Sequence, residues 1–458
     1  MPARQSSFWK LAGPSAVLVG LSIGAGEIII WPRIVAEYGA TMVWAAVLGV
    51  FLQLWVNFEI GRYTIATGET IFTGYLRLWP GFAPLMIALT VFGYIAPGWA
   101  RASGLALKAL TVGPTGGGSD FFWTSITFAA VALILFGPKI VYRSVERSVT
   151  VLIVIVTLGL IVVAAAVSSA STWRDLGAGL VNVGYIAPGM DIRVLFSALV
   201  FAGAGGVGNL FYTFYLRDKN IGMGARIPAL SNPLRGGGKT FSEAGYNFPD
   251  TPSNRAAFAS WWRYLRQDQM LFFWGLNTFT MLLFIVGALA VLHPNGLVPE
   301  PGTLIWDEAA ILGEIWGGTG RALFLVIGLA TLLSTQIVVV DGVARSISDI
   351  LHTSFTSMRK RDPSELYVLI AGAWMVSGCA ITWLMESRGT SDLGFIMNSA
   401  YMGGFAMAVY VPATLVVNRR LLPDSARPGR VCTTMMIIAS AVYIGFALSS
   451  ILWEIRGG

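Results

Sequence analysis

The chain has 458 residues, of which 55% are hydrophobic and only 12% are charged, and its mean hydropathy is +0.68. This composition excludes an ordinary soluble domain and predicts an integral membrane protein with several spans. Its long continuous apolar runs predict membrane-spanning helices and exclude a β-barrel. The formal net charge of +7 would suggest a nucleic-acid partner in a soluble protein. Here membrane topology explains the charge better, so the expected partner is the lipid bilayer, with no nucleic acid.

Hydropathy predicts eleven membrane-spanning segments, with approximate bounds 11–35, 40–62, 83–110, 120–137, 146–168, 194–216, 270–293, 320–345, 365–385, 393–417 and 431–452. The first five spans, 11–168, and the next five, 194–417, form two candidate repeats, each beginning with a glycine-interrupted helix. Because each repeat has an odd number of spans, the two have opposite orientations, as in transporters built from inverted repeats. The eleventh span, 431–452, is expected to be an additional peripheral helix of a single transmembrane transporter domain, 1–458.

The basic residues predict the orientation of these spans. Most of the 31 Lys and Arg residues lie at the N-terminus and in the loops after the even-numbered spans. Loops rich in Lys and Arg remain in the cytoplasm. We therefore expect a multi-pass protein of the plasma membrane, with its N-terminus in the cytoplasm and its C-terminus outside.

Two glycine-interrupted stretches lie at corresponding positions of the two repeats, Ile23 to Glu27 and Phe201 to Gly206. An interrupted helix leaves backbone carbonyls that need a partner in lipid, and a cation can be that partner. Small residues for close helix packing are the alternative for one such span, but two matched spans favour a cation site. We expect its backbone ligands to come from Gly24, Ala25, Gly203 and Ala204.

Glu27 is the charged residue of this pattern. A carboxylate within a membrane span is energetically expensive and therefore predicts a functional role, here as a metal ligand. The alternative is a neutral carboxyl group, or one paired with a buried Arg. Asn209 and Asn398 could add oxygen ligands, although interhelical hydrogen bonds are the commoner role of such residues. The same two alternatives apply to Thr331, Thr335 and Gln336 in the eighth span.

Other charged residues have simpler explanations. Glu59 with Arg62, and Asp341 with Arg345, have the helical spacing of ion pairs. Arg101 in the third span predicts either a partner or a water-filled path. The loop after the seventh span is acidic and could gather cations, although a solvated loop is the commoner explanation; its acidic residues are Glu300, Asp307, Glu308 and Glu314.

Short motifs recur in a fixed order along the chain: Gly13-Pro14, Glu59-Ile60-Gly61-Arg62-Tyr63, Ala66-Thr67-Gly68, Arg143 to Glu146, and Asn209-Leu210-Phe211. In order and spacing they resemble the Nramp divalent-metal transporters over nearly the whole length. The resemblance implies an all-α integral membrane protein with a leucine-transporter-like fold. That fold has two inverted five-helix repeats, here with one extra helix, and a metal held between the broken first and sixth helices.

The chain departs from the family at the metal site. The family's Asp-Pro-Gly-Asn motif reads Gly24-Ala25-Gly26-Glu27 here, so the coordinating Asp is lost and a carboxylate appears three residues later. The Met-Pro-His motif of the sixth helix falls at about Gly206 to Gly208, and a second family His falls on Thr213. The acidic residues of the third helix fall near Gly98 and Arg101. This pattern resembles the Nramp-related magnesium transporters.

The ligand chemistry agrees with that branch. Hard oxygen ligands suit Mg²⁺, whereas thioether ligands select softer metals. Mg²⁺ retains several waters, and a site lined by Gly and Ala with one carboxylate is expected to leave room for them. We therefore predict a transporter that moves hydrated Mg²⁺, and Mn²⁺ as well, by alternating access without proton coupling.

Two alternative functions remain open from the sequence: a proton-coupled Mn²⁺ or Fe²⁺ importer, and an organic-substrate/sodium symporter of the same fold. A non-transporting receptor is a third class, which would not need a carboxylate beside two helix breaks. No nucleophile–base set or nucleotide-binding motif is present. We therefore expect no enzymatic activity, no cofactor and no obligate protein partner.

Overall fold

The computed structural model describes the chain except for Gln5, Ala96, 231–244, 301–302, 389–391 and 456–458, and except for the side chains of Ala25 and residues 392–395. Most of the predicted loop after the sixth span therefore lies outside the described residues. The described part of the chain is helical and contains no strand.

Nineteen α-helices follow one another in these described ranges. Their bounds are α1 Phe8–Leu11, α2 Pro14–Ser22, α3 Trp31–Tyr38, α4 Val43–Thr67, α5 Ile71–Leu78, α6 Phe82–Gly93, α7 Gly98–Val112, α8 Asp120–Phe136, α9 Val141–Val167, α10 Ala170–Val181, α11 Ile192–Val200, α12 Tyr212–Asp218, α13 Pro252–Asp268, α14 Asn277–Gly287, α15 Leu304–Glu308, α16 Ala310–Ser354, α17 Pro363–Glu386, α18 Asp392–Leu421 and α19 Arg430–Ile455.

Segments of other helical geometry connect several of these helices. A π-helical segment, Ile23–Ile30, joins α2 to α3, and a second one, Gln269–Leu276, joins α13 to α14. A third, Ala288–Leu292, follows α14. A 3₁₀ segment, Gly206–Phe211, leads into α12. The predicted first and sixth spans are thus both interrupted near their middle, at the positions of their glycines.

By length and composition, eight helical stretches of the described chain could cross a membrane. The count of eleven spans remains a prediction. The predicted third span is two helices, α6 and α7, separated at Tyr94–Pro97, because a proline cannot donate the backbone hydrogen bond that a continuing helix needs. The predicted eighth span, 320–345, lies within the longer helix α16, whose backbone turns at Gly317 with a φ of 57°.

Helix α16 is packed at the centre of the molecule against α2, α7, α9 and the π-helical segment Ile23–Ile30. Helix α18 packs on α11 and on the 3₁₀ segment Gly206–Phe211. The two interrupted spans therefore lie inside the bundle, where their backbone groups have to be satisfied by other protein groups or by a ligand.

The predicted ion pairs are formed. Arg62 Nε lies 2.9 Å from a Glu59 carboxylate oxygen, and Arg345 Nε lies 2.9 Å from Asp341 Oδ1. Arg345 also contacts Asp218 at 2.6 Å. Arg101 pairs with Asp120 at 2.8 Å. These charged side chains thus form ion pairs with one another and not with the glycine-interrupted stretches.

Candidate cation site

The interruption of the first helix is a π-helical turn and not an extended break. The backbone keeps right-handed helical geometry on both sides of Gly24–Glu27. A π turn closes i→i+5 hydrogen bonds, widens the helix and is frequently found at functional sites. The Thr335 hydroxyl of α16 accepts a hydrogen bond from Gly24 N at 3.1 Å and lies 2.9 Å from the Gly20 carbonyl. Thr335 therefore holds the start of the π segment.

Gly26 brings the two interrupted spans into direct contact. A Cβ on Gly26 would collide with the carbonyl oxygen of Phe201, at the end of α11. The obstacle is backbone, which cannot rotate away as a side chain can. Gly26 is therefore required for the close approach of the first helix to the sixth.

The interruption of the sixth helix is a true break. Helix α11 ends at Val200, and Gly205 and Gly206 have φ angles of 61° and 46°. This left-handed region is readily adopted only by glycine. A Cβ on Gly206 would also lie 2.8 Å from Gly403 Cα. The sequence thus needs both glycines here for backbone conformation as well as for packing.

Four side chains, three from other helices and one, Tyr94, from the connection between α6 and α7, satisfy the backbone of this break. Gln53 of α4 donates to the Val200 carbonyl at 2.8 Å and accepts from Gly205 N at 3.0 Å. Three further side chains each donate a hydrogen bond to one or two backbone carbonyls of the break. They are Asn277 on Ala202 at 2.9 Å, Tyr94 on Ala204 at 2.8 Å and Gly205 at 3.1 Å, and Tyr410 on Gly206 at 2.7 Å.

Glu27 is fully buried in the π segment, and neither of its carboxylate oxygens has a hydrogen-bond partner among the described residues. Thr280 of α14 faces the carboxylate, but its hydroxyl donates to the carbonyls of Leu276 and Asn277, at 3.1 Å each. A buried ionised carboxylate without a partner is very unfavourable. This side chain therefore has to be either neutral or bound to a cation.

Asn277 belongs to α14, which packs against the π segment that carries Glu27. It precedes Thr280 by three residues, which places both side chains on one face of α14. Its amide nitrogen donates to Ala202, next to the Phe201 carbonyl that contacts Gly26. Its Oδ1 is buried and has no partner within the described chain. The Glu27 carboxylate and the Asn277 amide oxygen are thus two unpartnered oxygen acceptors at the junction of the first, sixth and seventh spans.

The other predicted site residues are placed as follows. Asn209 donates to Gln53 at 3.1 Å and to Tyr410 at 3.2 Å, which is the interhelical role, while its Oδ1 has no partner in the described part of the chain. The Ala204 carbonyl is used by Tyr94. Asn398 is exposed, unlike the buried residues of the two interruptions.

The glycines do not leave the empty space that the sequence suggested. A Cβ on Gly24 would meet Thr335 Oγ1, one on Gly203 would meet Gln53, and one on Gly208 would meet the Tyr94 hydroxyl. Neighbouring groups fill these positions because the helices approach one another closely. In the conformation described here, the helices would have to separate to admit a hydrated ion.

A hydrogen-bond cluster closes one end of the first helix. Asp268, fully buried at the end of α13, accepts hydrogen bonds from Ser15 N at 3.1 Å, from the Ser15 hydroxyl and from the Tyr212 hydroxyl at 3.1 Å. Ser15 lies in the first turn of α2, where backbone N–H groups have no partner within the helix. Asp268 therefore ties α2 to α12 and α13.

The residues that sequence reasoning missed are Gln53, Tyr94, Asn277 and Tyr410. Each is a polar side chain in an apolar span, which is the one signal that could have indicated them. The signal does not say which backbone group such a side chain contacts. The described residues contain no group of three or more His, Cys, Asp or Glu side chains that could hold a metal ion.

No family model and no curated protein matches this chain, but solved structures do. A variant of the manganese transporter of Eremococcus coleocola aligns with a TM-score of 0.72 and 15% sequence identity, covering 100% of this chain and 90% of that one. A nucleobase-cation-symport-1 family transporter, in a closed conformation with bromovinylhydantoin bound, aligns with a TM-score of 0.53 and 15% identity over 95% of this chain and 92% of that one. MhsT in complex with L-phenylalanine aligns with a TM-score of 0.50 and 15% identity, covering 99% of each chain.

These alignments span almost the whole of each chain. The protein therefore has the all-α, leucine-transporter-like fold of multi-pass membrane transporters.

Proposed function

We propose that the protein is a divalent-cation transporter in which Glu27 is the charged ligand of the transported ion. The observation that carries this proposal is the fully buried carboxylate without a hydrogen-bond partner, in the π segment that contacts the broken sixth helix. A cation bound there would remove the energetic penalty of burying the charge. The Asn277 and Asn209 amide oxygens and backbone carbonyls at Gly24, Ala25, Gly203 and Ala204 are the further candidate ligands.

The preferred ion in this proposal is Mg²⁺, with Mn²⁺ transported as well. The candidate ligands are oxygen atoms only, which favours hard cations over softer transition metals. One carboxylate with neutral oxygens and retained waters is a typical way to bind Mg²⁺. The similar structure from Eremococcus coleocola is that of a manganese transporter. The sequence resemblance to Nramp-related magnesium transporters supports the same ion class.

Transport would occur by alternating access. In transporters of this architecture one inverted repeat moves against the other around a central site, and we assign the repeats to 11–168 and 194–417. The filled glycine positions and the Asp268 cluster belong to a closed conformation of the site. Opening at Asp268 would free one end of α2 and lead to the Glu27 carboxylate.

The plasma membrane is the expected location of this transporter. The distribution of basic residues favours a plasma-membrane protein with a cytoplasmic N-terminus, and the C-terminus outside. In that orientation the Asp268 cluster is on the cytoplasmic side. The proposed activity needs no cofactor, no obligate protein partner and no enzymatic step.

The test is ion uptake by the purified protein in liposomes that contain a fluorescent Mg²⁺ indicator. We expect uptake of Mg²⁺ and competition by Mn²⁺. Competition by Ca²⁺ should be weak, because Ca²⁺ takes six to eight oxygen ligands and one carboxylate with few carbonyls provides too few. Protein-free liposomes are the control. Strong Ca²⁺ competition at equal concentration would contradict the assigned selectivity.

The same preparation tests the organic-substrate alternative. A panel of amino acids and nucleobases, with and without Na⁺, should neither bind to the purified protein nor compete with Mg²⁺. The physical reason is that Glu27 would repel a substrate carboxylate. Sodium-dependent binding of a panel member, without metal uptake, would replace the proposal with a symporter of the same fold.

A further inference from the structure

A second buried carboxylate lies outside the site described above. Glu308, at the end of the short helix α15, is fully buried, and neither of its oxygens has a hydrogen-bond partner in the described chain. Burial raises the pKa of the Glu308 carboxyl well above its usual range, and neighbouring Asp307 raises it further. Its charged form is therefore unfavourable unless a positive charge is nearby.

Helix α15 places Glu308 close to the first span. Ile305 precedes Glu308 by one helical turn and lies on the same face. A Cβ on Gly328 of α16 would lie 3.1 Å from Ile305 Cγ2 and 3.5 Å from Ile28 Cδ1. Ile28 is the residue directly after Glu27. The turn that carries Glu308 thus packs at the same point of α16 as the segment that carries Glu27.

The guanidinium of Arg321 does not neutralise Glu308. Arg321 of α16 stacks its guanidinium over the Trp306 ring, with 4.6 Å from its central carbon to the ring centroid. Trp306 and Glu308 are two residues apart, so their side chains point to different sides of the helix. In the described ranges, no Lys, Arg or His forms an ion pair with Glu308.

The acidic residues before Glu308 become less exposed to solvent along the chain. Glu300 is exposed, and Asp307 is half-buried. The Asp307 carboxylate accepts hydrogen bonds from Glu300 N at 3.1 Å and from the Thr303 hydroxyl at 2.8 Å, which fixes its position. Arg33 of α3 donates to the Pro299 carbonyl at 2.7 Å and attaches this loop to the first span. Exposure thus decreases in steps along the acidic residues toward Glu308.

We infer that Glu308 is the charged ligand of a second divalent-cation site, which lies on the α15 side of the Glu27 site and holds the ion before it reaches Glu27. This inference rests on the proposed function, since it assigns the same ion class to both carboxylates. By the predicted orientation, α15 is on the outer side of the membrane. An acidic residue here would raise the local concentration of cations at the entrance.

The test counts bound ions with Mn²⁺ as the probe, because the free ion can be measured by electron paramagnetic resonance. The full chain would be compared with Glu308→Gln, Glu27→Gln, the double variant and Glu314→Gln, a matched control at an exposed position of the next helix. We expect two ions in the unaltered chain and the control, one in each single variant and none in the double variant. Monodisperse elution and an unchanged melting temperature verify that each variant is folded.

Transport kinetics give a second measurement. Glu308→Gln should raise the Mg²⁺ concentration for half-maximal uptake about tenfold, as expected for the loss of one charged contact, with little change in the maximal rate. Loss of all binding in Glu27→Gln alone, or one ion in both the unaltered chain and Glu308→Gln, would overturn the second site and leave the proposed function intact. The absence of any bound ion in the unaltered chain would refute both.

Discussion

At the scale of single residues, the carboxylates of this protein fall into two kinds. Glu69 is nearly buried and is fully partnered, by the Tyr63 hydroxyl, the Arg77 guanidinium and Gly245 N at 2.7 Å. Glu27 has no ion pair, and its carboxylate oxygens accept no hydrogen bond among the described residues, although Thr280 faces them. A partnered carboxylate contributes to stability, whereas an unpartnered one lowers it. The two glutamates should therefore respond in opposite ways to the same substitution.

Glu27→Gln should abolish Mg²⁺ uptake and leave the folded protein equally or more stable. The substitution keeps the volume of the side chain but removes the charge that attracts the ion. Uptake in liposomes and the melting temperature without metal are the two measurements. Glu69→Gln is the matched control, and it should lower the melting temperature because a buried charged network is broken. Undiminished uptake by Glu27→Gln would refute the assignment.

The difference between these residues also shows what can be read from the sequence. Glu27 stands out because it is a carboxylate within a long apolar run. Asn277 and Gln53 do not stand out, since one amide in a span is compatible with many hydrogen bonds. Their contacts with the broken sixth helix depend on how three distant spans pack together. The carboxylate could be predicted from the sequence, but the residues around it could not.

At the scale of secondary structure, the contact between the two interrupted spans depends on Gly26. Gly26→Ala should abolish transport, because the added methyl group would collide with the Phe201 carbonyl and push the spans apart. Gly93→Ala is the control: its Cβ would lie 3.9 Å from Val207, which is an ordinary contact. Uptake rates of the two variants, at equal protein incorporation, check this expectation. Normal transport by Gly26→Ala would show that the spans need not touch.

Gln53 should be the main stabiliser of the broken sixth helix. Gln53→Ala would leave the Val200 carbonyl and Gly205 N without this partner and would remove one of the two hydrogen bonds of the Asn209 amide, at a cost of about 3 kcal/mol. Gln336→Ala is the control, since Gln336 donates one hydrogen bond, to Thr127 at 3.2 Å; we expect a cost of about 1 kcal/mol. Chemical unfolding in detergent measures both. Equal losses would contradict the role assigned to Gln53.

The Asp268 cluster should hold α2 closed at its N-terminal end. Asp268→Ala removes the acceptor of the Ser15 backbone and of the Tyr212 hydroxyl, so this end of α2 should open more often. In a background of Cys379→Ser and Cys432→Ser, Ala16→Cys on α2 should then react faster with a water-soluble maleimide. Asp250→Ala, which breaks an exposed pair with Arg255, is the control. An unchanged labelling rate would exclude the closing role.

At the scale of the whole molecule, we expect transport without proton coupling. Arg101 of α7 is paired with Asp120 of α8. His293 contacts the Ala36 carbonyl at 3.0 Å at one end of the first span, and His352 lies near the end of α16. Glu27 is the carboxylate of the proposed site, and a divalent ion bound to it would keep it ionised. A proton relay through these groups is therefore not expected.

Mg²⁺ uptake should consequently occur without acidification of the liposome interior. A pH-sensitive dye and a Mg²⁺ indicator inside the same liposomes would follow both ions, with an imposed pH gradient and a protonophore as controls. We expect the rate of uptake to be the same with and without the gradient. Metal-dependent acidification that the protonophore abolishes would contradict this prediction and favour a proton-coupled importer.

Hydropathy predicted the helical class of the molecule but not the full lengths of its helices. It detects only the apolar part of a helix, so the predicted span 320–345 stops well inside α16, Ala310–Ser354. It also passes over Pro97, which separates α6 from α7, because the flanking residues are apolar. The positions of the two interruptions were predicted from their glycines. The π-helical geometry of the first was not, since glycine permits many backbone conformations.

The π-helical segment Ile23–Ile30 has a mechanical consequence. A π turn contains about one residue more than an α turn. Conversion of this segment to α-helix would rotate α3 about its axis relative to α2, by on the order of 100° for each residue absorbed. The Glu27 side chain sits within the segment, so its direction would change while the termini of the helix moved little. The first span could thus turn its carboxylate toward a different neighbouring helix by a screw motion, with no hinge.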